Sequence, residues 1–306
     1  MPNNPADSAA APRHEHEDVQ RRDGGGGQVR YVFAVGRAGD ALGAAAEGLA
    51  GPAGAPVRTV DGGDGLSALV SDVPAGLYDE AGLRAQLEDM ERLEALARAH
   101  HDVVAAAYEH TTVLPMRLAT VYIDDGRVAE MLAGRSGEFG ALLARLEGHV
   151  EWGVKIYADP GAAAATPSPA QGSAAASASD GGSPGRAYLQ QRRQQRSTHR
   201  DTYRAAGAVA ERVTALADGT ATAKVAHRPQ QGELSSGPGE NIVNDAYLVP
   251  AGRSEDFRAA IGRLAEDVPG VRVELTGPWA PYSFATPPST ASSSPQDQQG
   301  TAADGT

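Results

Sequence analysis

The spacing of apolar positions changes period several times along the chain, and each change marks an element. Val29 to Val35 is a short, mostly apolar run after a glycine cluster and predicts a strand. Ala41 to Leu49 predicts a short alanine-rich helix. Val57 to Val60 and Leu66 to Val70 predict two strands, and Asp61-Gly62-Gly63-Asp64-Gly65 between them supplies a hairpin turn. From Glu80 to Tyr108, the positions Leu83, Leu87, Met90, Glu94, Ala97, His101 and Val104 recur at threes and fours, as one face of a long helix does. Thr112 to Ile123 alternates and is rich in β-branched residues, which predicts a long strand. The order β-α-β-β-α-β is the ferredoxin-like arrangement.

Two short helices follow, with Val128, Met131 and Leu132 on one apolar side and Phe139, Leu142, Leu143 and Leu146 on the other. Val150 to Tyr157 then reads as a strand, and Arg186 to Leu216 as a helix. The middle of that helix is wholly polar, while Thr202, Ala206, Val209, Val213 and Leu216 give its end a packed stripe. Thr222 to Arg228 and Ile242 to Val249 predict strands. Ser254 is placed to cap a helix whose core residues are Phe257, Ile261, Leu264 and Val268, and Pro269-Gly270 stops it. Val271 to Leu275 closes a second β-α-β-β-α-β series. The expected fold is therefore α+β, with two tandem ferredoxin-like (βαββαβ) domains, a helical connector and disordered tails. The expected boundaries are a tail over 1–28, an N-terminal domain over 29–124, a connector over 125–148 and a C-terminal domain over 149–285. A flexible Ala/Ser/Pro/Gly insertion is expected over 159–184, and a second tail over 286–306.

Composition narrows the function. The 306 residues carry a formal net charge of −12, which disfavours a phosphate backbone as the main partner. There is no cysteine, which excludes disulfides, thiolate catalysis and cysteine-ligated metal. No run of about 18 apolar residues suggests a spanning helix, and the first residues lack an apolar signal core, so a cytoplasmic chain without membrane contact is expected.

Candidate chemistry is sparse. His14-Glu15-His16-Glu17-Asp18 lies in the expected tail, where nothing would orient ligands. His100 and His101 are adjacent on a helix and diverge by about 100°, so one is expected to pack against the sheet and the other to be exposed. No nucleophile or carboxylate spacing accompanies them, and no catalytic, cofactor or metal site is expected. Arg117 interrupts an apolar strand and requires a partner, either an internal carboxylate such as Glu151 or Glu109, or another molecule. Arg192, Arg193, Arg196 and Arg200 form a basic helix face, either solvated or facing an acidic partner.

The densest aromatic segment is Thr276-Gly277-Pro278-Trp279-Ala280-Pro281-Tyr282-Ser283-Phe284, in a chain only 5% aromatic. Its prolines interrupt regular hydrogen bonding, which predicts a stiff extended tail. The rings of Trp279, Tyr282 and Phe284 either cover the second sheet or meet a partner. The expectation is core cover for Trp279 and partner contact for Tyr282 or Phe284.

Gly-Pro-Trp-x-Pro-Tyr-Ser-Phe after a strand resembles the C-terminal signature of the gas vesicle GvpL/GvpF proteins. Thr112-Val113-Leu114-Pro115-Met116-Arg117, Glu151-Trp152-Gly153-Val154-Lys155-Ile156, Gly185-Arg186-Ala187-Tyr188-Leu189 and the helix bearing His100 and His101 agree with it, in the family's order from about Tyr31 to Phe284. One departure is Leu118-Ala119, where the family usually has Phe-Gly. The resemblance implies an accessory or minor structural protein of the cytoplasmic gas vesicle, without enzyme activity or cofactor. The implied partners are the hydrophobic major shell protein and other accessory proteins during nucleation. Two alternatives remain at this point. A nucleic-acid-binding module of RNA-recognition topology would use Tyr31, Phe33 and Tyr247, though no basic sheet face accompanies them. A small-molecule sensor would need a polar pocket.

Overall fold

The computed structural model describes residues 27–165, 184–229 and 238–286. Its first sheet is built on β1 (Gln28–Arg37), with β2 (Val57–Gly63), β3 (Leu66–Pro74) and β4 (Val113–Pro115) in the order β2-β3-β1-β4. A short β5 (Val121–Tyr122) also pairs with β1, and every pairing is antiparallel. Tyr31 to Val35 are fully buried, because both faces of β1 are covered. A register shift between Val32 and Ala34 turns Phe33 and Ala34 to the same side. That side packs on α1 (Asp40–Ala46) and α4 (Met90–His110) through Leu42, Leu96, Val103 and Val104.

Val32 and Val35 face the other way, onto α5 (Asp125–Gly134) and α6 (Ser136–Leu146). The same apolar cluster takes in Ala246, Leu248 and Phe284 from the second half of the chain. The second sheet has β6 (His149–Ala158), β7 (Ala223–Ala226), β8 (Glu240–Pro250) and β9 (Val271–Trp279) in the order β7-β8-β6-β9, again antiparallel. Its far face packs on α8 (Pro184–Asp218) and α9 (Ser254–Gly262) through Ala206, Val209, Val213, Phe257 and Ile261. The two sheets thus share one core through the α5–α6 layer, each backed by helices on its outer side.

The glycine-rich hairpin has two separate requirements. Asp64 and Gly65 both have left-handed φ (50° and 70°), as a two-residue hairpin turn demands. Gly62 lies under α5, where a Cβ would stand 2.2 Å from that of Leu132.

Several expected elements differ. The long helix from Glu80 is two, α3 (Glu80–Glu88) and α4, parted at Asp89. Asp89 is extended and its carboxylate accepts from the amides of Glu91 (3.1 Å) and Arg92 (3.2 Å), so a cap outweighs continued periodicity. Leu87 and Met90 beside this break are exposed, off the buried stripe. The expected long strand to Ile123 is interrupted. After Met116, whose amide still donates to Phe33 (2.8 Å), Arg117 to Thr120 turn, with Ala119 at φ 61°. Ser254 does not cap α9. It lies inside the helix after a 3-10 turn over Ala251–Arg253, and its hydroxyl accepts from the Trp152 indole (2.9 Å).

The expected tails and insertion fall mostly outside the described residues. Where they overlap, Gln28 pairs with Pro74 in the first sheet, and Pro160–Ala165 forms a helix, α7. The Asp159 side chain accepts from the Ala162 amide (3.0 Å), so a capping acid, an early proline and an alanine run start a helix that low complexity concealed.

Candidate partner-binding site

The aromatic segment is not a free tail. β9 continues through Pro278 to Trp279 on the open edge of the second sheet, where a proline's missing donor costs nothing. Gly277 at φ 133° makes this possible, since a Cβ there would lie 2.7 Å from the Glu151 carbonyl oxygen. The Gly277–Pro278 peptide is cis. Beyond Trp279 the chain crosses from one core to the other. Ala280 and Tyr282 pack in the cluster of Tyr31, Phe33 and Val104, whereas Phe284 is 2% exposed in the cluster shared by the sheets.

Ser283 pins this strap. Its amide and hydroxyl donate to the two oxygens of Glu151 (2.8 and 2.7 Å), a carboxylate buried on β6. The His227 Nε2 lies 3.0 Å from the same hydroxyl. Because the serine proton points to Glu151, His227 donates its own proton to the serine oxygen. A nucleophilic serine would require the reverse, a histidine accepting from it. Burial pushes the Glu151 carboxyl above its usual range, opposed by the Ser283 bonds and the charge of His227.

On the other side of the strap stands the histidine pair. His100 is buried, and its Nδ1 lies 3.0 Å from the Tyr31 hydroxyl, which also accepts from the Ala119 amide at 3.1 Å. With that acceptor site filled, Tyr31 donates to Nδ1 and the imidazole proton sits on Nε2. Nε2 and the Tyr282 hydroxyl are buried without hydrogen-bond partners among the described residues. Burial lowers the His100 pKa to about 4. The Met116 backbone opposes this without reaching hydrogen-bond geometry, and His101 adds to it. His101 is half-buried. Its ring lies over that of Tyr282 (6.3 Å, 27°) and meets Trp279 edge-on (5.2 Å, 75°).

The expected placement of Trp279 and Phe284 is therefore reversed. Trp279 is 42% exposed, Phe284 is core, and Tyr282 is half-buried. Arg117 is exposed on its turn and pairs with neither proposed carboxylate, since Glu151 is engaged by Ser283 and Glu109 is exposed. Arg192, Arg193 and Arg196 are exposed on α8, where Arg192 donates to the Tyr188 hydroxyl (3.2 Å). Among the described residues, no hydrogen bond or ion pair joins these four arginines to the strap. Sequence reading missed that Ser283, Glu151 and His227 come together. Nothing in the spacing links them, because 132 positions separate Ser283 from Glu151. Tyr31, Phe33 and Tyr247 are fully buried and unavailable to stack on bases.

Two antiparallel sheets sharing a core and locked by an aromatic strap define a mixed α/β protein with Trp279 on an open sheet edge. The family model of the gas vesicle synthesis proteins GvpL/GvpF matches residues 29–286, and the chain belongs to that family. It is 45% identical to gas vesicle protein L of Streptomyces sp. (strain CB03234), over 84% of this chain and 93% of that one. It is 30% identical to gas vesicle protein F of the same strain, over 75% of this chain and 87% of the relative. The crystal structure of GvpF from Anabaena sp. PCC7120 has the same fold, with a TM-score of 0.57 at 19% identity, covering 85% of this chain and 96% of that one. GvpF from Microcystis aeruginosa gives a TM-score of 0.56 at 20% identity, covering 84% and 99%.

Proposed function

We propose that this protein is a gas vesicle accessory or minor structural component, without enzymatic activity, that binds the hydrophobic major shell protein and other accessory proteins as the vesicle nucleates. In this reading it works at the gas vesicle in the cytoplasm. Membership of the gas vesicle synthesis family supports the setting. Among the described residues, no helix is long and apolar enough to cross a membrane. The observation that carries the binding reading is Trp279. It is a large ring, 42% exposed, on an open sheet edge, held by His101 and by a strap pinned through Ser283. An aromatic ring held in place before contact loses little conformational entropy on binding, which suits an interface anchor.

We also read the two sheets as two ferredoxin-like units, over 29–124 and 149–285, with 125–148 as the connector. Their equal strand order supports this reading. The test of function is affinity capture of the tagged full chain from cells forming gas vesicles. The expected result is co-purification of the major shell protein. Recovery of the folded chain without it would reject the shell-binding role.

A further inference from the structure

The arginines of the other surface helices are mostly neutralised within their own helix. Arg84 pairs with Glu80, Arg98 with Glu94, Arg127 with Glu130, Arg135 with Glu138 and Arg258 with Glu255, each three or four residues apart. The first half of α8 breaks this habit. Arg186, Arg192, Arg193, Arg196 and Arg200 have no ion-pair partner among the described residues, and all are exposed. The first buried described side chain of α8 is Thr202, so the half before it, about 25 Å long, is a largely exposed arm, with Ser197 and Thr198 half-buried. Leu189, Arg193, Arg196 and Arg200 form one stripe at helical spacing, and Tyr188 and Arg192 lie beside it. Tyr188 and Leu189 are each 57% exposed. A basic, partly apolar arm on a chain of net charge −12 calls for an acidic, partly apolar counterpart.

Such a surface exists on the same molecule. At the elbow between α3 and α4, Leu77, Leu87 and Met90 are 44%, 47% and 70% exposed, and no residue of α3 is buried. Glu88 and Glu91 flank Leu87 and Met90, are exposed, and have no ion-pair partner among the described residues. A cavity of about 180 Å³, lined by Pro74, Leu77, Tyr78, Gln86, Arg92 and Leu96, opens beside them. It offers a place for an apolar side chain, bordered by Leu77, Gln86 and Arg92.

We propose that the α8 arm of one copy docks on the α3–α4 elbow of a second copy of this chain. Arg192, Arg193 and Arg196 then face Glu88 and Glu91, and Tyr188 and Leu189 cover Leu87 and Met90. The two surfaces are different patches, so the contact is head-to-tail and propagates into a ring or a short filament rather than a closed two-fold dimer. The inference does not depend on shell-protein capture, which rests on Trp279 at another edge.

Sedimentation of the full chain across a concentration series tests it. At low ionic strength the average mass should rise with concentration, and at about 1 M salt, where screening acts within about 3 Å, it should return to the monomer. The triple variant Arg192→Glu/Arg193→Glu/Arg196→Glu and the double variant Glu88→Arg/Glu91→Arg should each associate at least about tenfold more weakly. Circular dichroism should show both folded. Mixed together they should assemble again as alternating copies, because each variant's arm then fits the other's elbow. A wild-type chain that stays monomeric at low salt overturns the proposal, even if it binds nucleic acid through the same arginines. So do variants that still assemble, or a mixture that does not pair.

Discussion

At the scale of single residues, the strap distributes its rings by what lies behind each of them. Phe284 fills the core shared by the sheets, Tyr282 covers the inner histidine, and Trp279 stays at the surface beside His101. The sequence marks these rings as one cluster but not which of them faces outward. That outcome depends on the Ser283 pin to Glu151, a contact without local signature. Ala119 shows the reverse case. The family usually carries glycine there, and the left-handed φ of 61° explains why, although alanine adopts it here at a cost of about 1–2 kcal/mol. His100 carries a pH dependence of definite sign. An unfolded chain protonates this ring near 6.5, whereas the folded site resists until about 4. Stability is therefore full above 6.5 and falls as pH drops towards 4, by about 3 kcal/mol in all. Thermal melting of wild type and His100→Gln through this window should show a steeper acid loss for the wild type. Parallel curves would remove His100 as the cause.

At the scale of elements, periodicity located nearly every helix and strand but not their breaks. Asp89 parts α3 from α4 because a side-chain cap satisfies amides that a continuous helix would also satisfy, and the two outcomes look alike in hydrophobic pattern. The turn after β4 was hidden in the same way, since Leu118 and Val121 remain apolar on either side of it. The seating of α5 on the first sheet was not legible at all. It rests on Asp125, which accepts from Arg30 (2.5 Å) and Arg58 (2.8 Å), while both arginines also meet Asp72 (3.1 and 2.7 Å). The Arg58 bond leads in holding the Asp125 carboxyl below its ordinary value of 3.8. A lowered carboxyl contributes stability that is present above 3.8 and lost as pH falls further, through its folded value. Since Asp125 is half-exposed, solvent screening limits the effect to about 1 kcal/mol. Asp125→Asn should melt below wild type at neutral pH, and the gap should close in acid below 3.8. A gap that is constant with pH would mean that the ion pairs do not seat α5.

At the scale of the whole molecule, two sheets of equal strand order were readable from the alternation of strand and helix, but their shared core was not. The pattern gave α5 and α6 apolar sides but not what those sides face: Val128, Leu132, Phe139 and Leu143 fill the space between the sheets, so the connector is itself part of the core. Such a joint core predicts one cooperative unfolding transition. Leu143→Ala, at a site 1% exposed, should lower that transition by about 2–5 kcal/mol without splitting it, as judged by coincident urea curves from fluorescence and circular dichroism. Two separate transitions in the wild type would contradict the joint core. The central claim is that the surface ring of the strap binds while its buried ring supports. Trp279→Ala and Phe284→Ala, compared for melting and for capture of the major shell protein, test it most directly. Phe284→Ala should cost about 3–5 kcal/mol of stability. Trp279→Ala should melt close to wild type yet weaken capture by about 2 kcal/mol, roughly thirtyfold. A Trp279→Ala protein that captures the shell protein as well as wild type would contradict the account.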